Sequence, residues 1–218
     1  MNFLGHHEVA RQLDEAEDHV YLFGTMVPDL TGMFKLKKLY KSRAVSDERI
    51  KRGIILHSLT NRVFDDIPAI KDLESSMTAS FREYLPKWTA LQCGRVGKDI
   101  LFDGLFLSNR VALDSYDETM RLAARGLINF TNITEPIDDF TVGIQRLEEI
   151  GIPQYDDPYV VARIIQRRLA GTRTPLDIES TSELTATFSE HQLKALSIGR
   201  SVMSEVIAGL QSQTNLPY

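Results

Sequence analysis

The chain has 218 residues, 43% of them hydrophobic, enough to bury a sizeable core within one domain. Its 30 acidic residues outnumber 25 lysines and arginines, and the net charge of −5 excludes a protein that holds nucleic acid through bulk electrostatics. Cys93 is the single cysteine, so neither a disulfide framework nor a cysteine-built zinc cluster can form, and a cytoplasmic setting is expected.

Apolar residues recur at spacings of three and four over most of the sequence, and alternation with β-branched residues is scarce. The expected fold is therefore all-α: one domain over 1–218, a bundle of seven or eight helices. The start Met1-Asn2-Phe3-Leu4-Gly5, acidic by Asp14 to Asp18, lacks the basic and apolar stretches of a secretion signal. No segment approaches the roughly 20 apolar residues that cross a bilayer, so no membrane partner is expected.

A first helix is expected over 6–24, carrying His6 and His7 beside Phe3, Leu4 and Val9. A break over Pro28 to Gly32 then places Asp29 just past an aromatic-rich helix end. Segment 33–44 concentrates Lys35, Lys37, Lys38, Lys41 and Arg43 and reads as a surface loop, either a solvated connection or a patch that steers an anionic partner. The next helix, 46–65 with Ser46 as N-cap, is apolar around most of its circumference and should lie centrally; His57 and Asn61, four apart, share one of its faces. Breaks at Pro68 and Pro86 precede a helix over 87–109, in which Cys93 reads as a small buried hydrophobe. Further helices are expected over 115–130, 137–149 and 156–170, with breaks at Pro136, at 151–153 and from Gly171 to Pro175. The last, 189–212, has a capping box in Ser189 and Gln192. Its positions Leu193, Leu196, Val202, Val206, Ile207 and Leu210 read as core, with a homodimer seam as the alternative.

Chemistry is suggested by polar residues in apolar surroundings. Asp103 sits in Ile100-Leu101-Phe102-Asp103-Gly104-Leu105-Phe106 and should be buried. A buried carboxylate requires a cation, strong hydrogen bonds or a proton. Asp99, one turn earlier, either supports the same site or is a rim residue paired with a nearby lysine or arginine. Histidine nitrogen mixed with carboxylate oxygen suits zinc, manganese or iron and leaves positions open for water and phosphate.

The same segments resemble the acyl carrier protein phosphodiesterase family. The motifs that carry the resemblance are Met1-Asn2-Phe3-Leu4-Gly5-His6, the turn from Gly24 to Asp29, Leu56-His57 with Asp65 and Pro68, and Asp99-Ile100-Leu101-Phe102-Asp103. They cover residues 1–110, while 111–218 match only as a helical extension of the same core. The chain departs from the family pattern at Glu8, Asn61, Ile67 and Gly104, three of which stand where the family has histidine; His7 is a candidate stand-in for a lost one. The resemblance implies an HD-like helical phosphohydrolase that uses a divalent ion (manganese, magnesium, zinc or iron) to activate water against a phosphoester. It implies His6, Asp29, His57 and Asp103 as metal ligands and Asp65 or Asp99 as proton acceptor. Asn61, Lys35 and Lys38 would contact substrate, a phosphoester borne in one case by an acidic acyl carrier protein.

His57 and Asp65 are eight residues apart, roughly 12 Å of rise on a straight helix, so either the helix ends before Asp65, or two ions are bound, or Asp65 supports the site without touching the ion; a helix end at Asp65 is the expectation. Two other readings compete. The N-terminal histidines with Val27-Pro28-Asp29-Leu30 are also similar to the zinc-dependent phospholipase C group, and the replaced residues at 61, 67 and 104 suit a catalytically inactive helical binding protein.

Overall fold

The computed structural model describes residues 1–13, 17–41, 45–169 and 180–213. The fold is all-α, with nine α-helices and one two-stranded antiparallel ribbon among the described residues. No helix among them is long and apolar enough to cross a membrane.

The helices are α1 (Phe3–Leu13), α2 (His19–Met33), α3 (Glu48–Asp66), α4 (Pro68–Phe81), α5 (Lys87–Gly104), α6 (Arg110–Ala124), α7 (Ile137–Ile150), α8 (Pro158–Leu169) and α9 (Ser180–Gln211). Strands β1 (Lys37–Lys38) and β2 (Thr134–Glu135) pair with Lys37 opposite Glu135.

Several boundaries correct the sequence reading. The expected helix 6–24 is two helices, because Asp18 caps a new start: its carboxylate accepts from the N–H groups of Val20 and Tyr21 at 3.0 and 3.4 Å. Pro28, expected as a break, lies inside α2, where the ring removes the helical donor to Gly24 and the helix nonetheless continues. The break expected at Pro68 is there, between the end of α3 at Asp66 and α4, a helix absent from the sequence reading that opens on Pro68 because a first-turn position needs no N–H. Asp47 caps α3 in place of Ser46: its carboxylate accepts from Arg49 N–H at 2.9 Å, while the Ser46 hydroxyl points to Thr131 O. Ser189 lies within α9 and donates to Thr185 O, so the last helix begins nine residues earlier than expected. The expected break from Gly171 to Pro175 lies outside the described residues, as does Arg43.

Contacts cluster in two compact units, each assembled from stretches distant in sequence. The α1 unit comprises Asn2–Val63, Asn109–Ile152 and Val206–Tyr218. Its core holds Phe23, Phe130 and Phe140 ring against ring at 5.3 to 6.3 Å between centroids, with Phe34 edge-on to Phe140. The α5 unit comprises Met1, Phe64–Ser108 and Pro153–Glu205. There Phe64 meets Phe102 and Phe81 meets Phe188 edge to face, and Gly97 lets Phe188 and Met77 close over α5. In α9, Val202, Val206 and Leu210 are buried as expected, whereas Leu193 and Leu196 are exposed.

Candidate metal centre

Residues 3–10 of α1 are buried without exception, so over this stretch the helix has no solvated face and carries its polar side chains inward. His6 is one of them, at 1% exposure. Two glycines then bring α2 and α3 into backbone contact. A Cβ on Gly24 would stand 2.5 Å from Ile50 O, and one on Gly53 would stand 2.4 Å from Tyr21 O. Only hydrogen fits at either position.

That approach sets His57. Its Nδ1 lies 2.9 Å from Thr25 O, and because a carbonyl only accepts, Nδ1 carries the ring proton. Nε2 is therefore the nitrogen with the lone pair, and Asn61 Nδ2, one turn on, donates to it at 3.0 Å. A backbone carbonyl holding one imidazole nitrogen while the other faces a site is the arrangement that orients histidine ligands.

Asp29, on α2, completes a trio. Its Oδ2 is 3.9 Å from His6 Nε2 and 4.0 Å from His57 Nδ1, and the two imidazole rings lie 3.8 Å apart between centroids. One ligand atom from each of His6, Asp29 and His57 lies within 4.8 Å of the others, and among the described residues this is the one such group of three. The histidines are buried and the Asp29 side chain is 24% exposed, so the trio opens toward solvent on the carboxylate side. Two imidazoles and a carboxylate, with one second ring nitrogen fixed by a carbonyl and one side accessible, fit a borderline divalent ion such as zinc, manganese or iron.

Two further groups border Asp29, both from the segment after α2. Lys38 Nζ donates to Pro28 O at 3.1 Å, one residue before Asp29. Tyr40 is half-buried; burial, opposed by a hydrogen bond with Thr31, and the Asp29 charge hold its phenol above its ordinary pKa. Lys35 is exposed, at φ 57°, with its N–H on Gly32 O.

His7 does not stand in for a lost ligand, because adjacent residues on a helix point about 100° apart. It turns to α6, where its Nε2 lies 3.2 Å from Thr119 Oγ1, a hydroxyl that also meets His19 Nδ1 at 2.8 Å. Burial, aided by His19 and Arg11, pushes its pKa down to about 3, so His7 is a neutral structural ring. Glu8, where the resembled family has histidine, is bound by Arg11 and Gln12.

The remaining sequence candidates lie in the α5 unit. Asp103 is fully buried in the last turn of α5, as its apolar neighbours required. Asp65 lies in the last turn of α3, at the expected helix end. It is engaged by Lys98, whose Nζ is 2.6 Å from Asp65, 3.0 Å from Glu74 and 3.7 Å from Asp99. Burial opposes charge on Lys98, but Asp99, Asp65 and Glu74 together hold its pKa above the ordinary value. Asp99 also meets the Met1 amino group at 2.6 Å. The reading of Asp99 as a carboxylate paired with a nearby lysine thus describes where it lies.

Of the four ligands expected from sequence, the structure gathers His6, Asp29 and His57 in one unit. Lys98, Thr25 and Tyr40 escaped the sequence reading. Only Lys98 had a visible signal: a lysine beside Asp99 on a helix whose buried face runs Gly97, Ile100, Leu101. No protein-family model matches this chain, and neither a curated protein nor a solved structure does.

Proposed function

We propose that the protein is a metal-dependent phosphoester hydrolase whose ion is held by His6, Asp29 and His57. One observation carries the reading: two imidazoles and a carboxylate from three different helices converge within 4.8 Å, with the carboxylate side open. A divalent ion bound there would supply a Lewis acid and lower the pKa of water.

The chain's own residues account for the rest. Thr25 O holds the His57 ring through Nδ1, which leaves Nε2 as the ring's acceptor nitrogen. The Asn61 amide donates to that nitrogen and would give it up to an ion, which would leave the amide beside the site and suited to contact with substrate oxygen. Lys38, whose Nζ rests on the carbonyl of Pro28 next to Asp29, brings a positive charge for a phosphoryl oxygen, and Tyr40 offers a protonated phenol from the same segment. Lys35, exposed on the same segment, suits approach of an anionic substrate and not its anchoring. Asp65 and Asp99 are committed to Lys98, and the proposal gives them no proton to take.

The test is elemental analysis of the purified protein beside hydrolysis of bis-p-nitrophenyl phosphate with added manganese or zinc. Wild type should retain close to one equivalent of a transition metal and hydrolyse the ester; Asp29→Ala and His57→Ala should lose both. Metal content unchanged in both variants would remove the trio from the site, and metal without hydrolysis would favour the inactive binding protein.

A further inference from the structure

The face shared by α6 and α7 in the α1 unit plays no part in the proposed chemistry, yet it gathers five carboxylates against one lining cation, Arg121. Asp114, Asp117 and Glu118 from α6 and Glu148 and Glu149 from α7 line one open groove of about 430 Å³. Arg110 pairs with Asp114 and Arg121 with Glu118. Among the described residues, no ion pair reaches Asp117, Glu148 or Glu149. Partial burial, with the charges of Asp114 and Glu148, raises the pKa of Asp117 against the opposing charge of Arg110. The last turn of α7 has no basic residue, so Glu148 and Glu149 lie against the negative end of their own helix dipole. Each of these features lowers stability, and together they build a local negative potential.

A largely apolar groove of about 440 Å³ adjoins it, lined by Phe34, Leu36, Val142, Leu147 and Ile150, with Asp139 and Arg146 as its one acid and one base. Ile150 is 78% exposed and lines both grooves, so an uncovered apolar side chain stands at the edge of a ring of carboxylates. A bare cation fits poorly: among the described residues, only the His6, Asp29 and His57 group brings three metal-binding side chains within coordinating reach of one another. A second copy fits poorly as well, since two such acidic faces repel.

We propose that this face docks a basic amphipathic segment of another protein, its lysines or arginines meeting Asp117, Glu148 and Glu149 while an apolar side chain enters the groove beside Ile150. Charge complementarity would fix the register and an apolar anchor would supply residence, the division of labour found in helix-in-groove recognition. The inference is independent of the metal reading, because no residue is shared.

The probe is a fluorescein-labelled peptide with lysine and leucine at helical spacing, titrated with the full chain and read by anisotropy. Binding is expected to weaken about tenfold in the Glu148→Gln/Glu149→Gln double variant, as in Ile150→Ser, and to fall as salt is raised. Both sites are exposed, so circular dichroism should not change. A peptide with leucine replaced by alanine should bind about tenfold more weakly. Equal binding by the two peptides, or by wild type and the double variant, overturns the proposal. A concentration-dependent dimer in sedimentation that the double variant abolishes would assign the face to a second copy and overturn it too.

Discussion

Replacing Lys98 with methionine asks whether Asp65 and Asp99 are structural carboxylates. The ammonium is 3% exposed and lies 2.6, 3.0 and 3.7 Å from Asp65, Glu74 and Asp99. Methionine keeps most of the aliphatic stem and removes the charge, which also stands 5.4 Å over the Phe64 ring. Breaking a fully buried ion pair costs about 3–5 kcal/mol. Here the three carboxylates keep 28 to 44% exposure and can rehydrate, which brings the expected loss down to about 2–3 kcal/mol. For a chain of this size that lowers the melting temperature by roughly 5–10 °C. The pH dependence has a definite sign. The folded pKa of Lys98 is raised, so its contribution is complete below the unfolded value of about 10.4 and is lost as pH rises through the higher folded value. Urea unfolding followed by circular dichroism near neutral pH and again at strongly alkaline pH measures both. The gap between wild type and Lys98→Met should be full in the first case and shrink in the second. A neutral-pH gap below about 0.5 kcal/mol would show that water already screens these pairs, and the argument for committed carboxylates would fall.

Four other outcomes are expected. Manganese at about a hundred times its dissociation constant should stabilise wild type by about 2.7 kcal/mol, a rise of roughly 5–10 °C by thermal scanning, and should leave Asp29→Ala unmoved. Asn61→Asp places a second negative oxygen donor beside the His57 lone pair; calorimetric titration should show metal binding about tenfold tighter, and unchanged affinity would mean that Asn61 does not border the ion. Gly53→Ala puts a methyl group against backbone atoms of Tyr21, Gly24 and Thr25 that cannot step aside, so it should cost about 3 kcal/mol in chemical denaturation and weaken metal retention by shifting Thr25. Cys93 is buried and desolvation pushes its thiol up to about 12, so Ellman's reagent should leave it untouched in the native protein and label it once urea is added.

Helix periodicity made the all-α class readable, because apolar residues at three and four spacing admit no other regular structure. Boundaries were harder where a single side chain decides them. The start of α2 depends on whether Asp18 turns its carboxylate back onto two N–H groups, and nothing in the local pattern distinguishes that from continued helix. Pro28 and Pro68 make the complementary point: the same residue sits inside one helix and opens another, and packing chooses between them. The two units were not legible at all, since each joins stretches far apart in sequence and no linker composition marks a division.

The candidate site was legible as residue types and not as geometry. His6, Asp29 and His57 could be picked out because each is a polar side chain among apolar neighbours, and that criterion selects Asp103 and His7 equally well. What separates them is direction. His7 follows His6 by one residue and so faces α6, where Thr119 takes its ring nitrogen. The meeting of the other three depends on two residues with no side chain: Gly24 and Gly53 let α2 and α3 touch, and only then can Thr25 O reach the ring of His57. A scan for ligand-type residues passes over glycine, yet a single methyl at position 53 is expected to disturb the site as surely as loss of a ligand. The chemistry proposed here is thus set by close backbone approach first and by ligand identity second.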